Sequence, residues 1–338
     1  MAISRAYEAS ALKRTRTLLD RIGDPFTKAI AFAAVLIATA ALVGLIIEIF
    51  RGSSEAFARF GLSFLAGKVW DVNRGVFGAF PMIAGTAITS VLAILIATPL
   101  SVAIALFLSE LAPKSLRAPL GALVEMLAAI PSVVLGLWGI IILGPVVADQ
   151  IDPTLGHVLG FLPLFQGRGE AVGVLNAALV LTIMVVPIVA SVSRELFATV
   201  PRDLREGALA LGATRWEMVR GVLLPAAKPG IMAATALGFG RAIGEAMAVT
   251  MVIGNVTAIH LSLFKPGATL ASILANQYAG FSTNIQASSL LYLGAILLVI
   301  SLIVNLSAQL LIRPIDRRPR RRRIALDRAL ETQGVSAD

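Results

Sequence analysis

Two charged residues stand inside a strongly apolar stretch, in the run Gly238-Phe239-Gly240-Arg241-Ala242-Ile243-Gly244-Glu245-Ala246-Met247. Their spacing predicts that Arg241 and Glu245 are neighbours on one helix face. An Arg at membrane depth costs roughly 2.5–3.5 kcal/mol on insertion scales, so both side chains are expected to face a bundle interior or a water-filled path. An Arg so placed attracts an anion, and a Glu beside it tunes or gates that attraction. The plainer alternative is a buried ion pair that holds helices in register. Gly238, Gly240 and Gly244 offer a side along which another backbone can approach closely. Glu125 and Glu48 are weaker candidates of the same kind, with Glu48 reaching the outer interface.

Hydrolytic and redox chemistry find little material. The chain has no Cys, which excludes disulfides, thiolate metal sites and Cys nucleophiles. Its two histidines, His157 and His260, lie in polar connecting segments and read as solvated loop residues. The one phosphate-loop lookalike, Gly61-Leu62-Ser63-Phe64-Leu65-Ala66-Gly67-Lys68-Val69, has five residues between its glycines and a Val where Ser or Thr is needed. No cofactor and no metal are expected, and any energy source must belong to a partner.

A second polar island, Arg194 to Arg220, has the order of a structured element. Pro201 suits a first helical turn, Leu204, Ala208 and Leu211 recur at helical spacing, and Gly212 suits a left-handed helix stop. Thr214 and Glu217 have capping-box spacing for a second short helix. The expected shape is a helix-Gly-helix knuckle with apolar knobs and charged edges, a docking surface.

These residues need elements to position them, and composition says which. With 57% hydrophobic and 14% charged residues over 338 positions, the chain is an integral membrane protein rather than a soluble domain. Crossing about 30 Å of hydrocarbon takes roughly 20 residues. Six segments qualify: 29–50, 82–108, 119–147, 172–193, 226–254 and 288–312. Pro99, Pro131 and Pro187 fall inside them, and Ala129-Ile130-Pro131-Ser132 predicts a helix broken near the bilayer centre. With the N-terminus inside, 22 Lys and Arg fall in inside segments and 6 in outside ones, Arg241 being the remaining one of 29. That imbalance predicts cytoplasmic termini and a cytoplasmic knuckle. The organisation expected is a basic N-terminal segment (1–28), a six-helix domain (29–312) with the knuckle loop at 194–225, and a disordered basic tail (313–338). Residues 1–24 suit an interfacial helix, and Arg317 to Arg323 suit anionic lipid headgroups rather than nucleic acid. Segments 51–81 and 255–287 read as short surface helices or turns.

The knuckle also carries a resemblance. Glu206-Gly207-Ala208, Gly212 and Val222-Leu223-Leu224-Pro225 resemble the "EAA" loop of ABC importer membrane subunits, with Gly207 and Val222 replacing Ala and Ile. The resemblance implies a type I ABC importer (MetI-like) permease fold, all-α, and a coupling helix that inserts into a cytoplasmic ATPase. Residues implied in coupling are Glu206, Ala208, Gly212, Leu224 and Pro225.

Three further stretches, Phe77–Thr86, Ala128–Gly139 and Gly240–Asn255, resemble the PstC subunits of bacterial phosphate importers, with Ala246 where that family has Thr. This implies a non-enzymatic permease subunit of the inner membrane, Arg241 and Glu245 on the substrate pathway, and inorganic phosphate as cargo. The implied partners are a PstA-like second permease, a PstB-like ATPase dimer and an extracytoplasmic phosphate-binding protein. Two alternatives stay open: a permease for sulfate, molybdate or phosphonate, and a passive anion channel.

Overall fold

In hydrocarbon a spanning chain must satisfy its own backbone polar groups, which long apolar runs do by becoming helices. The computed structural model describes the backbone of residues 18–332 and the side-chain surroundings of residues 27–310. Among the described residues there is no strand, only the isolated bridges Asp71–Val76 and Gly254–Gly267. Six helices of the described residues are long and apolar enough to cross a membrane: Thr27–Phe60, Phe80–Leu111, Ser132–Leu159, Val174–Thr199, Arg215–Gly244 and Asn284–Leu310. Four fall where hydropathy placed them. The third and fifth are shifted.

The chain divides into two units, Met1–Arg51 and Gly52–Asp338. The first carries α1 (Leu18–Gly52), whose described side chains are mostly exposed. The interfacial segment expected over residues 1–24 lies largely outside the described residues.

In the second unit, the short helices Ser54–Phe60 and Ser63–Ala66 lead to α2 (Phe80–Leu106), the core of span two, which ends in a π turn, Phe107–Leu111. The rejected phosphate-loop lookalike lies here: Gly67 meets Gly78 so closely that a Cβ on Gly78 would lie 2.4 Å from the Gly67 carbonyl. Next, α3 (Lys114–Ala128) stops just before Pro131, which has no N–H to donate and restricts Ile130 before it. A new helix starts as α4 (Ser132–Trp138) and passes through π turns at Gly139–Leu143 and Val147–Ile151 into α5 (Asp152–Leu159). The break expected at Pro131 is therefore present, but it begins the crossing helix rather than dividing it, and the 119–147 assignment is corrected to Ser132–Leu159. His157 consequently sits exposed on α5, not in a connecting segment.

The fourth span, α6 (Val174–Thr199), is central. It is buried over 72% of its most apolar window, against 39% or less for the others. Small residues let α2 approach it closely, with Ala93, Ala97 and Ala105 fully buried. Ser101 Oγ donates to the α6 carbonyl of Val186 at 3.1 Å, and Thr182 Oγ1 donates to Ala93.

After α6 come α7 (Arg202–Ala210), α8 (Arg215–Met218), a π turn over Val219–Leu223, α9 (Leu224–Gly244) and α10 (Met247–Val252). The segment between spans five and six is more than surface. Leu263, Phe264, Ala268, Leu270, Ala271 and Ile273 are buried there, the last three on α11 (Leu270–Gln277) or its first turn. Its backbone is held by side chains and amides of other elements, including Leu270 N to Thr86 Oγ1 and Val174 N to Lys265 O. The expectation of a purely superficial 255–287 segment is corrected accordingly. The chain ends in α12 (Asn284–Thr332), which includes span six. Its backbone continues helical through 313–332, where no regular structure was expected; Arg is a good helix former.

Candidate functional site

The fifth span breaks where its charges lie. α9 stops at Gly244, and Glu245 takes extended dihedrals, φ −70° and ψ 115°. Two residues later α10 begins. Arg241 thus occupies the last turn of α9, where a cation complements the helix dipole. Glu245 lies beyond the helix end, and its Oε1 accepts from the Ala248 amide at 3.4 Å, in the first turn of α10. The expectation that Arg241 and Glu245 stack on one helix face is corrected, because the helix that would stack them ends between them. Among the described residues no ion pair joins them. Arg241 is exposed and Glu245 half-buried.

The glycines around the pair divide their work. A Cβ on Gly238 would lie 2.8 Å from Val185 and 2.9 Å from Val189, so Gly238 lets α9 close on α6. One on Gly240 would lie 3.1 Å from Asn305 of span six, and one on Gly244 would meet nothing. Beyond the break, α10 packs on α4. Gly136 makes that contact possible, since a Cβ there would lie 2.8 Å from Met251 Sδ and 3.0 Å from Ala248 Cα. Asn255 closes the turn after α10 at φ +54°, its Nδ2 donating to Thr250 O at 2.7 Å.

The knuckle forms as its residues dictate. Gly212 stands at φ +87°, and the amides of Gly212 and Ala213 return to Leu209 O and Ala208 O at 3.0 and 3.2 Å. These are the returning bonds of a left-handed helix stop. Thr214 and Glu217 then make both bonds of the capping box, Thr214 N to Glu217 Oε2 at 2.8 Å and Glu217 N to Thr214 Oγ1 at 3.3 Å. One expectation changes: the second knuckle helix is not separate. α8 runs through the π turn into α9, so a single 30-residue helix, Arg215–Gly244, leads from the knuckle to the turn of Arg241.

Of the knuckle residues singled out by sequence, Glu206, Gly212 and Pro225 are exposed. Ala208 and Leu224 pack against a buried cluster that includes Ala105, Phe197, Met218 and Leu223. Leu211, read from the sequence only as an apolar residue at helical spacing, is 91% exposed, and Trp216, which the sequence reading missed, is 64% exposed. Two large apolar side chains in a charged loop were the available signal. Glu125 falls on α3 rather than in a membrane-crossing helix, and Arg194 Nη2 donates to it at 2.7 Å. Glu48 is exposed on α1.

Comparison with known proteins gives the family. Residues 97–321 match the family described as "Binding-protein-dependent transport system inner membrane component", and the chain belongs to that family. It is therefore a multi-pass inner-membrane component of an ABC transport system, with the MetI-like importer fold.

Within the family it is similar to proteins named "Phosphate transport system permease protein PstC". The one from Mesorhizobium japonicum is 40% identical over 94% of this chain and 98% of that protein. The one from Xylella fastidiosa is 41% identical over 90% and 94%. Among solved structures, a chain of a bacterial alginate ABC transporter in complex with an alginate-bound periplasmic protein superposes with TM-score 0.56 at 16% identity. The match covers 88% of this chain and 98% of that one, a likeness of fold alone.

Proposed function

We propose that this chain is a permease subunit of an ATP-driven importer of inorganic phosphate. The observation that carries a transport role is Arg241, exposed and, among the described residues, without an ion-pair partner, on a membrane-crossing helix one turn before a break. An Arg in that position is too costly against lipid and fits a water-filled path shared with a second permease subunit. Phosphate as the cargo rests on the near full-length similarity to the PstC proteins. Phosphate carries one or two negative charges near neutrality, so one guanidinium attracts the anion without trapping it.

In this reading the knuckle and both termini are cytoplasmic. A PstA-like second subunit completes the path, and a PstB-like ATPase dimer receives the knuckles through Glu206, Gly212 and the exposed Leu211 and Trp216. An extracytoplasmic phosphate-binding protein delivers the anion. ATP is hydrolysed by the ATPase, and its closure rocks the Arg215–Gly244 helix, exchanging inward and outward access. Glu245, fixed to the start of α10, sets the field at the break.

The test is phosphate uptake by the assembled complex carrying Arg241→Gln. Loss of one attracting charge is expected to lower uptake about tenfold or more, while Arg241→Lys retains part of it. Normal uptake by an assembled Arg241→Gln complex refutes the assignment.

A further inference from the structure

Among the ion pairs of the described residues, one differs from the rest. Arg205 of α7 and Glu110 at the end of span two meet at 2.8 Å with side-chain exposures of 19% and 16%. In the pairs Arg194–Glu125, Lys265–Glu170 and Arg74–Asp71, at least one partner is more than 40% exposed. Exposed pairs contribute little, whereas a desolvated guanidinium fork is directional.

The fork holds more than Glu110. Arg205 Nη2 also donates to Phe197 O and Val200 O, carbonyls of the C-terminal turn and cap of α6. One side chain of the knuckle therefore grips the ends of spans two and four at once. Glu110 is anchored in turn, because Arg117 of α3 donates to the Glu110 carbonyl and, through Nε at 2.9 Å, to Ala112 O.

The remaining contact under the knuckle is apolar. Ala105, Phe197, Val200, Met218 and Val219 pack beneath it with Ala208. Such contacts are non-directional and allow helices to slide. The guanidinium fork does not, since its donors sit in a fixed plane. Without it, α7 is joined to span four by the chain at Val200 and Pro201, and its direct contact with span two is apolar alone.

We propose that Arg205 is a positioning residue that makes the knuckle, span two and span four move as one body, so that ATPase closure becomes transport. This rests on the coupling role proposed above. Removing the fork leaves docking intact, because Leu211, Trp216 and Glu206 stay exposed, but lets the knuckle move without its spans.

The experiment uses the whole complex in proteoliposomes with the phosphate-binding protein, measuring phosphate imported and ATP hydrolysed together. If the wild-type complex imports no phosphate on ATP, the function assigned above fails, and the joint with it. If it does, Arg205→Met is expected to keep ATP hydrolysis within about threefold while uptake per ATP falls about tenfold, a typical coupling range. Arg205→Lys, which keeps charge but loses the planar fork, is expected to fall between. An unchanged ratio, or uptake and hydrolysis falling in parallel, overturns the proposal. Should Arg205→Met fail to assemble, Glu110→Gln decides by the same ratio, which must fall.

Discussion

Gly212 offers a clean perturbation because its role can be separated from packing. Its backbone stands at φ +87°, and a Cβ built there would meet nothing within 4 Å. Any penalty of a substitution is therefore conformational rather than steric against neighbours. A side chain in the left-handed region costs about 1–2 kcal/mol, with a β-branched residue at the upper end or beyond. Asn tolerates that region better than other non-Gly residues. Gly212→Val shifts the local equilibrium away from the turn, releasing the bonds from Gly212 N to Leu209 O and Ala213 N to Ala208 O. With α7 no longer held at its angle to α8, the docking-competent knuckle loses population by roughly 5- to 30-fold. The assay is co-purification of the ATPase with the membrane subunits at limiting ATPase, read as an apparent affinity. The expected order is wild type, then Gly212→Asn, then Gly212→Ala, then Gly212→Val. A Val variant that binds as tightly as the Asn variant refutes the reasoning, because it means the positive φ is not required for docking.

Two further outcomes follow from buried polar groups and are read as thermal unfolding of the purified complex. Thr86→Val removes the acceptor of the buried Leu270 amide, held at 3.0 Å, and should destabilise by about 1–3 kcal/mol, with Thr86→Ser near wild type. Equal stability of the Val and Ser variants contradicts it. Asp152 is 2% exposed, and neither carboxylate oxygen has a hydrogen-bond partner among the described residues. Asp152→Asn removes an unpaired buried charge from the interior of a continuous helix and should raise the unfolding temperature at neutral pH. A lower unfolding temperature counts against an uncompensated charge.

What sequence could and could not disclose divides along physical lines. Spans two, four and six were legible because hydropathy over 20 residues is a strong signal, and the knuckle because Gly212, Thr214 and Glu217 make local bonds. The break at Glu245 was not. Gly244 is unremarkable in a membrane helix, and nothing near it lacks an N–H as Pro131 does. The extension of the fifth span back to Arg215 was hidden by Arg215, Glu217 and Arg220, whose charges pull the hydropathy down although the backbone stays helical. The grip of Arg205 on Glu110 joins residues 95 apart, which no local pattern encodes.

The three stretches that carried the family resemblance, scattered over some 180 positions, have a common cause that only the fold displays. Ala128–Gly139 begins the crossing helix after Pro131, and its Gly136 receives Ala248 and Met251 of the stretch Gly240–Asn255. The third stretch, Phe77–Thr86, receives the loop that follows Asn255. A Cβ on Gly85 would lie 2.1 Å from Ala268 O, and Thr86 Oγ1 takes the Leu270 amide. Close backbone approach, not a shared ligand list, explains why these stretches are rich in Gly and Ala. Around the break after Arg241, one glycine contact fixes α10 against α4 and another fixes the returning loop against α2. The break is thus held from two sides, while a Cβ on Gly244 at its hinge would meet open space. A charged turn with a clamped far side and an open hinge can change its exposure without repacking the core beside it, which is what the alternating access proposed above requires of the Arg241 turn.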